Sequence, residues 1–107
     1  VPETAEYVRR LQESRETALS LLGHLTIKVS AFYRNPVAFD ALRLQVLPEL
    51  ARQAAHRPLT IWSAGCGRGE EAYTLAMLCD AANIDCRIVA TDIDDAALSA
   101  ARDGLYD

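Results

Sequence analysis

A run of glycines followed by acids stands out in the middle of the 107-residue chain. An apolar stretch at 59–62 leads into glycines spaced G-x-G-x-G, and two glutamates open the helix-forming stretch after them. These residues are Gly65, Gly67, Gly69, Glu70 and Glu71. A strand that turns through glycines into a helix is how many α/β proteins hold a nucleotide-like ligand, because glycine takes positive φ and lets the ligand approach where a Cβ would block it. The pattern predicts a ligand-binding loop, and its plainer alternative is a tight turn.

The acids after the glycines narrow the class of ligand. The spacing differs from the G-x-G-x-x-G of dinucleotide sites, and no lysine follows as in a phosphate-binding P-loop. A pyrophosphate would have to bind at the helix N-terminus, where Glu70 and Glu71 repel it. S-adenosylmethionine has no phosphate and carries a sulfonium and an ammonium, so the residues favour it. A nicotinamide-dependent oxidoreductase stays open as an alternative.

A third feature is the acid that ends the next apolar stretch. The stretch 87–91 leads into Asp92, which lies 27 positions after Gly65. That is roughly where nucleotide-binding βαβ units carry the acid that hydrogen-bonds the ribose. The alternative is that Asp92 only begins a turn, a position that suits aspartate. We expect Asp92 to lie near the ribose of the ligand.

Composition and charge limit the class of protein. Half of the residues are hydrophobic and the net charge is −4, with 1–58 at +2 and 59–107 at −6, and so acidic a second half argues against a nucleic-acid partner. No apolar run approaches the roughly 18 residues that span a bilayer, and charges in the first sixteen positions argue against a signal peptide. Three irregularly spaced cysteines and two histidines predict neither a disulfide framework nor a metal site. We expect a cytoplasmic domain with no direct membrane insertion, and the absence of an initiator Met indicates a fragment or a processed chain.

The first half predicts the helices that precede the loop. The run 4–22 has apolar residues at helical spacing and Gly23 as its stop signal. The Asn-Pro pair at 35–36 caps and opens a helix over 36–55, which Pro48 should kink or split. The residues expected to be buried on this helix are Phe39, Leu42, Val46, Leu47 and Leu50.

The second half alternates strand and helix. The predicted elements are a strand at 59–63, a helix at 70–82, a strand at 87–91 and a helix at 95–102 that Asp94 caps and Gly104 ends. A helix that crosses between two strands implies that the strands are parallel. The fold class is therefore α/β, a partial Rossmann-like fold in which helices precede β-α-β-α. Two strands make an incomplete doubly wound sheet, whose open edge can pair with a second copy of the chain.

Three blocks of the chain carry a family resemblance. The blocks are 25–36 with Phe39, 62–73, and 90–94 with 101–104. In order and spacing they resemble the chemotaxis receptor protein-glutamate O-methyltransferases. The resemblance implies an S-adenosylmethionine-dependent methyltransferase fold, in which 1–24 ends a small helical N-terminal domain and 25–107 begins the methyltransferase domain.

The resemblance also implies an activity. The parent protein is expected to transfer a methyl group from S-adenosylmethionine to glutamate side chains of a chemoreceptor, leaving S-adenosylhomocysteine. The 107-residue chain alone is expected to be inactive. A non-catalytic S-adenosylmethionine-binding regulatory or interaction module is the alternative.

The implied cofactor site draws on two segments of the chain. The implied contacts are Ser30, Arg34, Gly65, Gly67, Glu71 and Asp92. A guanidinium such as that of Arg34 can hold the methionine carboxylate bidentately. Ser63 stands where many other methyltransferases carry an acid, so Glu71 is expected to take the cationic end of the ligand. No catalytic side chain is implied, because a carboxylate acceptor is already a nucleophile and positioning does most of the work.

Several residues near the site have plainer expected roles. Glu70 is expected to be a solvated acid of the first helical turn, and Cys66 a small loop residue with no base beside it. The alternative role of Arg34 is to cap a helix or to pair with Asp40. The aromatic residues expected to serve packing first are Tyr33, Trp62 and Tyr73.

Overall fold

The chain forms helices followed by a two-stranded sheet with its own helices. The computed structural model describes residues 2–25, 30–55 and 57–107. Its elements are α1 (Pro2–Glu13), α2 (Arg15–Leu25), α3 (Pro36–Ala41), a π-helical turn (Leu42–Val46), α4 (Leu47–Ala54), β1 (Leu59–Ala64), α5 (Glu70–Ala81), β2 (Cys86–Thr91) and α6 (Asp95–Asp103). The predicted α/β class and the order β-α-β-α are confirmed, while 26–29 of the first resembling block lie outside the described residues. No helix within these ranges is long and apolar enough to cross a membrane.

The N-terminal stretch forms two helices, so the single helix predicted over 4–22 is wrong. The helix is interrupted at Ser14, whose Oγ accepts the N–H of Thr17 at 3.2 Å. A serine that satisfies a free N–H at the start of a helix is a preferred N-cap. Gly23 lies inside α2, which continues to Leu25, and is not the stop that was predicted.

The helical stretch after Pro36 is split as predicted from Pro48. Proline has no N–H, and its ring clashes with the carbonyl four residues earlier. The helix accommodates this with the π-helical turn, and the N–H of Leu47 donates to the carbonyl of Leu42. The side chain of Asn35 makes no capping hydrogen bond, contrary to the prediction; its backbone takes a φ of +67° and its carbonyl accepts the N–H of Ala38 at 3.1 Å.

The π-helical turn also changes which side chains of this stretch are buried. Phe39 and Leu47 are buried and Leu42 is partly buried, as predicted. Val46 and Leu50 are each 41% exposed, so their predicted burial is wrong. A π turn inserts an extra residue, which rotates the following side chains away from the face that a regular helical period predicts.

The two strands place the loop and the second acid at one edge of the sheet. β1 and β2 are parallel, with Leu59 opposite Cys86 and Ala64 opposite Thr91. Both strands therefore end at the same edge, where the glycine loop after β1 meets Asp92 after β2. The observed helix α6 has its predicted cap, because Asp94 accepts the N–H groups of two residues in its first turn.

One face of the sheet builds the core. The side chains of this core come from α3, α4 and α5 and from alternate strand positions: Phe39, Leu47, Leu75, Leu78 and Cys79, with Leu59, Ile61, Cys86 and Ile88 packed against them. On the opposite face Trp62 is 70% exposed. Its predicted packing role is therefore wrong; because strand side chains alternate between faces, Trp62 points away from the core and its indole N–H donates to Thr91 Oγ1 at 2.9 Å.

Candidate functional site

The glycine loop joins the end of β1 to the start of α5. The N–H of Cys66 donates to the carbonyl of Thr91 at 2.9 Å, which ties the loop to the end of β2. The φ angles are +69° at Gly65, +57° at Gly67 and +99° at Gly69. A side chain is strained at such angles, and a Cβ on Gly65 would stand in open space with no heavy atom within 4 Å. The loop therefore exposes bare backbone to a cavity.

Asp92 is bound by the loop that it faces. Its Oδ2 accepts the N–H of Gly67 at 2.8 Å, and its Oδ1 accepts the N–H of Asp94 at 2.8 Å. Each carboxylate oxygen has two lone pairs, so both keep acceptor capacity for a ligand hydroxyl. Asp92 both shapes the turn and lines the cavity, so its two predicted roles are compatible.

Ser63 holds Glu71 at the mouth of the loop. The hydroxyl of Ser63 donates to Oε1 of Glu71 at 2.7 Å, although the two residues belong to β1 and α5. Ser63 is buried, whereas Glu71 is exposed and lines the cavity. The carboxylate thus lies at the end of β1, beside Ser63.

The segment 30–35 forms another wall and is anchored to α5. Tyr33 has a φ of +53°, a left-handed conformation that costs a non-glycine residue about 1–2 kcal/mol. Its N–H donates to Oγ1 of Thr74 at 3.1 Å, and the same hydroxyl donates to the carbonyl of Glu70 at 2.7 Å. These bonds hold the turn against the start of α5. Tyr33 also packs on Phe39 with ring centroids 5.3 Å apart, as its predicted packing role requires.

This anchoring brings Ser30 and Arg34, two of the predicted cofactor contacts, to the glycine loop. A Cβ on Gly67 would lie 3.7 Å from Oγ of Ser30. Arg34 is exposed and lines the same cavity as Ser30. Asp40, the alternative partner predicted for Arg34, accepts a 2.6 Å hydrogen bond from Tyr33 and lies 3.7 Å from an arginine in the π-helical turn.

One cavity of about 1040 Å³ unites the site. All six predicted contacts line it: Ser30, Arg34, Gly65, Gly67, Glu71 and Asp92. Its charged lining residues are Glu70, Glu71, Asp92, Asp94, Arg34 and Arg68, so acids outnumber bases by two. The volume lies just above the roughly 300–1,000 Å³ typical of ligand pockets. The charge balance favours a ligand with positive groups over a phosphorylated one, and contact of these residues with a cofactor stays a prediction.

Glu70 is buried, so its predicted solvated state is wrong. It is 6% exposed, and its Oε2 has no hydrogen-bond partner among the described residues. The burial follows from tertiary packing, because the end of the chain folds back over the preceding Gly69. As the first residue of α5, Glu70 has the helix dipole to support a negative charge.

Cys66 behaves as the predicted loop residue. It is buried, and this burial raises the pKa of its thiol, with a further contribution from the negative charge of Asp92. A raised pKa keeps the thiol protonated, whereas a nucleophilic cysteine needs a lowered one. Cys66 therefore offers the site no nucleophile.

Tyr106 supports the glycine loop from outside the cavity, a role that the sequence patterns did not predict. Its hydroxyl donates to the carbonyl of Arg68 at 2.6 Å. Its ring meets Phe32 edge-on at 4.8 Å and Tyr73 at 5.9 Å between centroids. Tyr106 thus closes the loop from outside and joins it to the segment before α3. The sequence signal that could have indicated this position of Tyr106 is Gly104. Gly104 ends α6 with a φ of +63°, and the chain turns back after it.

Comparison with protein families gives one match. Residues 28–107 match the family model described as CheR methyltransferase, SAM binding domain. The match includes the glycine loop and both walls of the cavity. It spans well over half of the chain.

Curated relatives match the chain over most of its length. A chemotaxis protein methyltransferase of Listeria monocytogenes is 38% identical over 104 residues, which cover 94% of this chain and 39% of that protein. Chemotaxis protein methyltransferase 1 of Pseudomonas aeruginosa is 32% identical over 116 residues, which cover 100% of this chain and 42% of that protein. An uncharacterized 104.1 kDa protein of Rhodobacter capsulatus is 43% identical over 79 residues, 73% of this chain and 8% of that protein. The chain therefore spans less than half the length of each of these relatives.

Proposed function

Because the chain belongs to the CheR methyltransferase family through its S-adenosylmethionine-binding domain, we propose that it serves a methyltransferase that modifies glutamate side chains of chemoreceptors. Its cofactor is S-adenosylmethionine, which the matched domain binds. The observation that carries the proposal is a single cavity bounded by the glycine loop, Asp92 and the acids that open α5. Such a cavity disfavours phosphorylated coenzymes and suits a donor with a sulfonium and an ammonium.

The residues present fit this cofactor. The bare backbone at Gly65 faces open space that a Cβ would fill, as a loop that receives a ligand requires. The excess of carboxylates over guanidiniums around the cavity matches the positive groups of the donor. The buried Oε2 of Glu70 offers an acceptor that the described residues leave unused.

We assign the contacts by chemistry. The guanidinium of Arg34 pairs with the carboxylate of the methionine part, for which its planar fork is suited. Glu71, held by Ser63, accepts from the ammonium group. The lone pairs that Asp92 keeps accept from the ribose hydroxyls. Ser30 lies close enough to the loop to add a polar contact beside Gly67.

The proposed reaction asks for positioning more than for acid–base groups. The cofactor supplies an electrophilic methyl group on a positively charged sulfur. A glutamate carboxylate of the acceptor is already a nucleophile, so the chain has only to orient the donor and exclude water. The raised pKa of Cys66 agrees with this, because no thiolate takes part.

The chain is also proposed to be part of a longer protein with two domains. We propose that 1–24 end a helical domain and that 25–107 begin the methyltransferase domain, since the relatives are more than twice as long as the matched segment. The acceptor site then draws on residues beyond these 107, and the chain alone binds the cofactor without turnover. Cytoplasmic location and pairing of two copies through the open sheet edge belong to the same proposal.

Calorimetric titration with S-adenosylhomocysteine tests the proposal. We expect the chain to bind the product, and we expect Asp92→Ala to abolish the heat while Asp85→Ala, which removes an exposed acid before β2, leaves it unchanged. NADH and ATP should not displace the bound product. Absence of binding by the unmodified chain, or displacement by ATP, would overturn the assignment, and methylation of a receptor by the verified 107-residue chain would refute its expected inactivity.

A non-catalytic cofactor-binding module is the second candidate. One observation favours it: a segment 43% identical to this chain makes up only 8% of a 104.1 kDa relative. A domain used inside so large a protein can serve as a sensor of the cofactor. A receptor-methylation assay on the protein that carries these residues separates the two, because a module binds S-adenosylhomocysteine but transfers no methyl group.

A further inference from the structure

Glu70 keeps an unused hydrogen-bond acceptor in the wall of the cavity. The residue is 6% exposed, it lines the cavity, and its Oε2 has no partner among the described residues. Buried polar atoms are nearly always hydrogen-bonded in native proteins. A buried acceptor without a donor has lost its hydrogen bonds to water and has gained none within the protein. Since the Glu70 side chain lines a space large enough for a ligand, a rotation of its carboxylate would turn this acceptor towards a donor that the ligand brings.

We propose that Glu70 accepts a hydrogen bond from the α-ammonium group of the bound cofactor and shares that group with Glu71. This inference rests on the proposed function for the identity of the ligand. The sulfonium carries no N–H, the ribose hydroxyls are assigned to Asp92, and the adenine amino group is a neutral donor. The α-ammonium is the charged donor of the cofactor, and a carboxylate binds a charged donor more strongly than a neutral one. An ammonium carries three donors and can serve both carboxylates at once.

The surroundings of the two acids indicate that Glu70 contributes more than Glu71 to binding the ammonium group. Glu71 is exposed, and its Oε1 is already occupied by the hydroxyl of Ser63. Glu70 is only 6% exposed, and its Oε2 has no hydrogen-bond partner among the described residues. A charge-assisted hydrogen bond is stronger where water is excluded. Loss of the Glu70 charge should therefore weaken binding more than loss of the Glu71 charge.

The experiment compares two ligands on the chain and its variants. S-Adenosylhomocysteine carries the ammonium, while 5′-methylthioadenosine keeps the nucleoside and the sulfur but lacks the amino-acid part. For Glu70→Gln we expect the Kd of S-adenosylhomocysteine to rise about ten- to a hundredfold, the worth of one charge-assisted hydrogen bond. The Kd of 5′-methylthioadenosine should stay within about twofold. Asp80→Asn, which removes an exposed charge farther along α5, is the matched control and should change neither value.

The outcomes separate this inference from the proposed function. If the unmodified chain binds neither ligand, the proposed function fails; if it binds both and Glu70→Gln weakens both equally, only the role of Glu70 fails, because a structural defect does not distinguish the ligands. Should Glu70→Gln not fold, Glu70→Asp keeps the charge and shortens its reach, and the same selective loss is expected. In the unmodified chain the Glu70 Cδ signal in ¹³C NMR should shift with S-adenosylhomocysteine and not with 5′-methylthioadenosine; an equal response to both would overturn the proposal.

Discussion

Gly69→Ala is the substitution expected to damage the loop most. A Cβ at this position would lie 2.9 Å from the hydroxyl oxygen of Tyr106, 3.0 Å from Cβ of Ala101 and 3.2 Å from a ring carbon of Tyr73. These neighbours are not free to move aside. The Tyr106 hydroxyl is bonded to the carbonyl of Arg68, and a shift of Ala101 requires movement of the α6 backbone.

The size of the effect depends on backbone and packing together. The φ of +99° at Gly69 lies outside the left-handed region near +50° to +70° that other residues enter. The backbone strain costs about 1–2 kcal/mol and the overpacking about 1–3 kcal/mol, so Gly69→Ala should lower the free energy of unfolding by about 2–5 kcal/mol. That is a large share of the roughly 5–15 kcal/mol that stabilises a typical domain.

Gly65→Ala is the matched control, because it adds the same methyl group to the same loop. Gly65 has a φ of +69° and open space around its Cβ position, so only the backbone cost of about 1–2 kcal/mol applies. Its methyl group enters the cavity, so this variant should stay folded and bind S-adenosylhomocysteine more weakly. Urea unfolding and calorimetry measure the two effects. Equal losses of unfolding free energy in the two variants would refute the reasoning from the contacts of Gly69.

Three further substitutions test other contacts. Tyr106→Phe removes the bond to the Arg68 carbonyl but keeps the ring, and should lower the unfolding free energy by about 1 kcal/mol in urea titrations. Ser63→Ala frees Glu71 and should raise the Kd of S-adenosylhomocysteine about fivefold by calorimetry, with 5′-methylthioadenosine unaffected. Burial, aided by Cys86, raises the pKa of Cys79 from 9.0 to about 11, so its stabilising effect is complete below pH 9 and is lost as the pH rises through 11. The unfolding free energy measured between pH 9 and 11 should fall less steeply in Cys79→Ala; parallel curves would contradict this.

The parts of the site that depend on local chain geometry were predictable. A strand, a glycine turn and a helix start are contiguous in sequence, and parallel strands necessarily end at the same edge. These two rules bring Asp92 to the glycine loop, and in the structure it accepts the N–H of Gly67. Ser30 and Arg34 lie some thirty residues before the loop, and no local rule connects them to it. The resemblance alone placed them there.

The wrong predictions share a physical origin in contacts that a local pattern does not contain. Glu70 fits a solvated-helix pattern, but its burial depends on a chain end that returns to Gly69 from more than thirty positions away. Val46 and Leu50 fit a regular helical period, which the extra residue of the π-helical turn displaces. Ser14 did carry a local signal, a preferred N-cap residue, and the apolar spacing on both sides concealed it.

The two hydrogen bonds that Asp92 accepts from backbone amides affect the free energy of ligand binding. Its carboxylate fixes the turn at Gly67 and the approach to α6 through hydrogen bonds within the chain. A loop that is ordered beforehand loses little conformational freedom when it is filled, so less of the interaction energy is consumed by immobilising it. The amide proton of Gly67 should therefore exchange slowly with solvent, because it is hydrogen-bonded to Asp92.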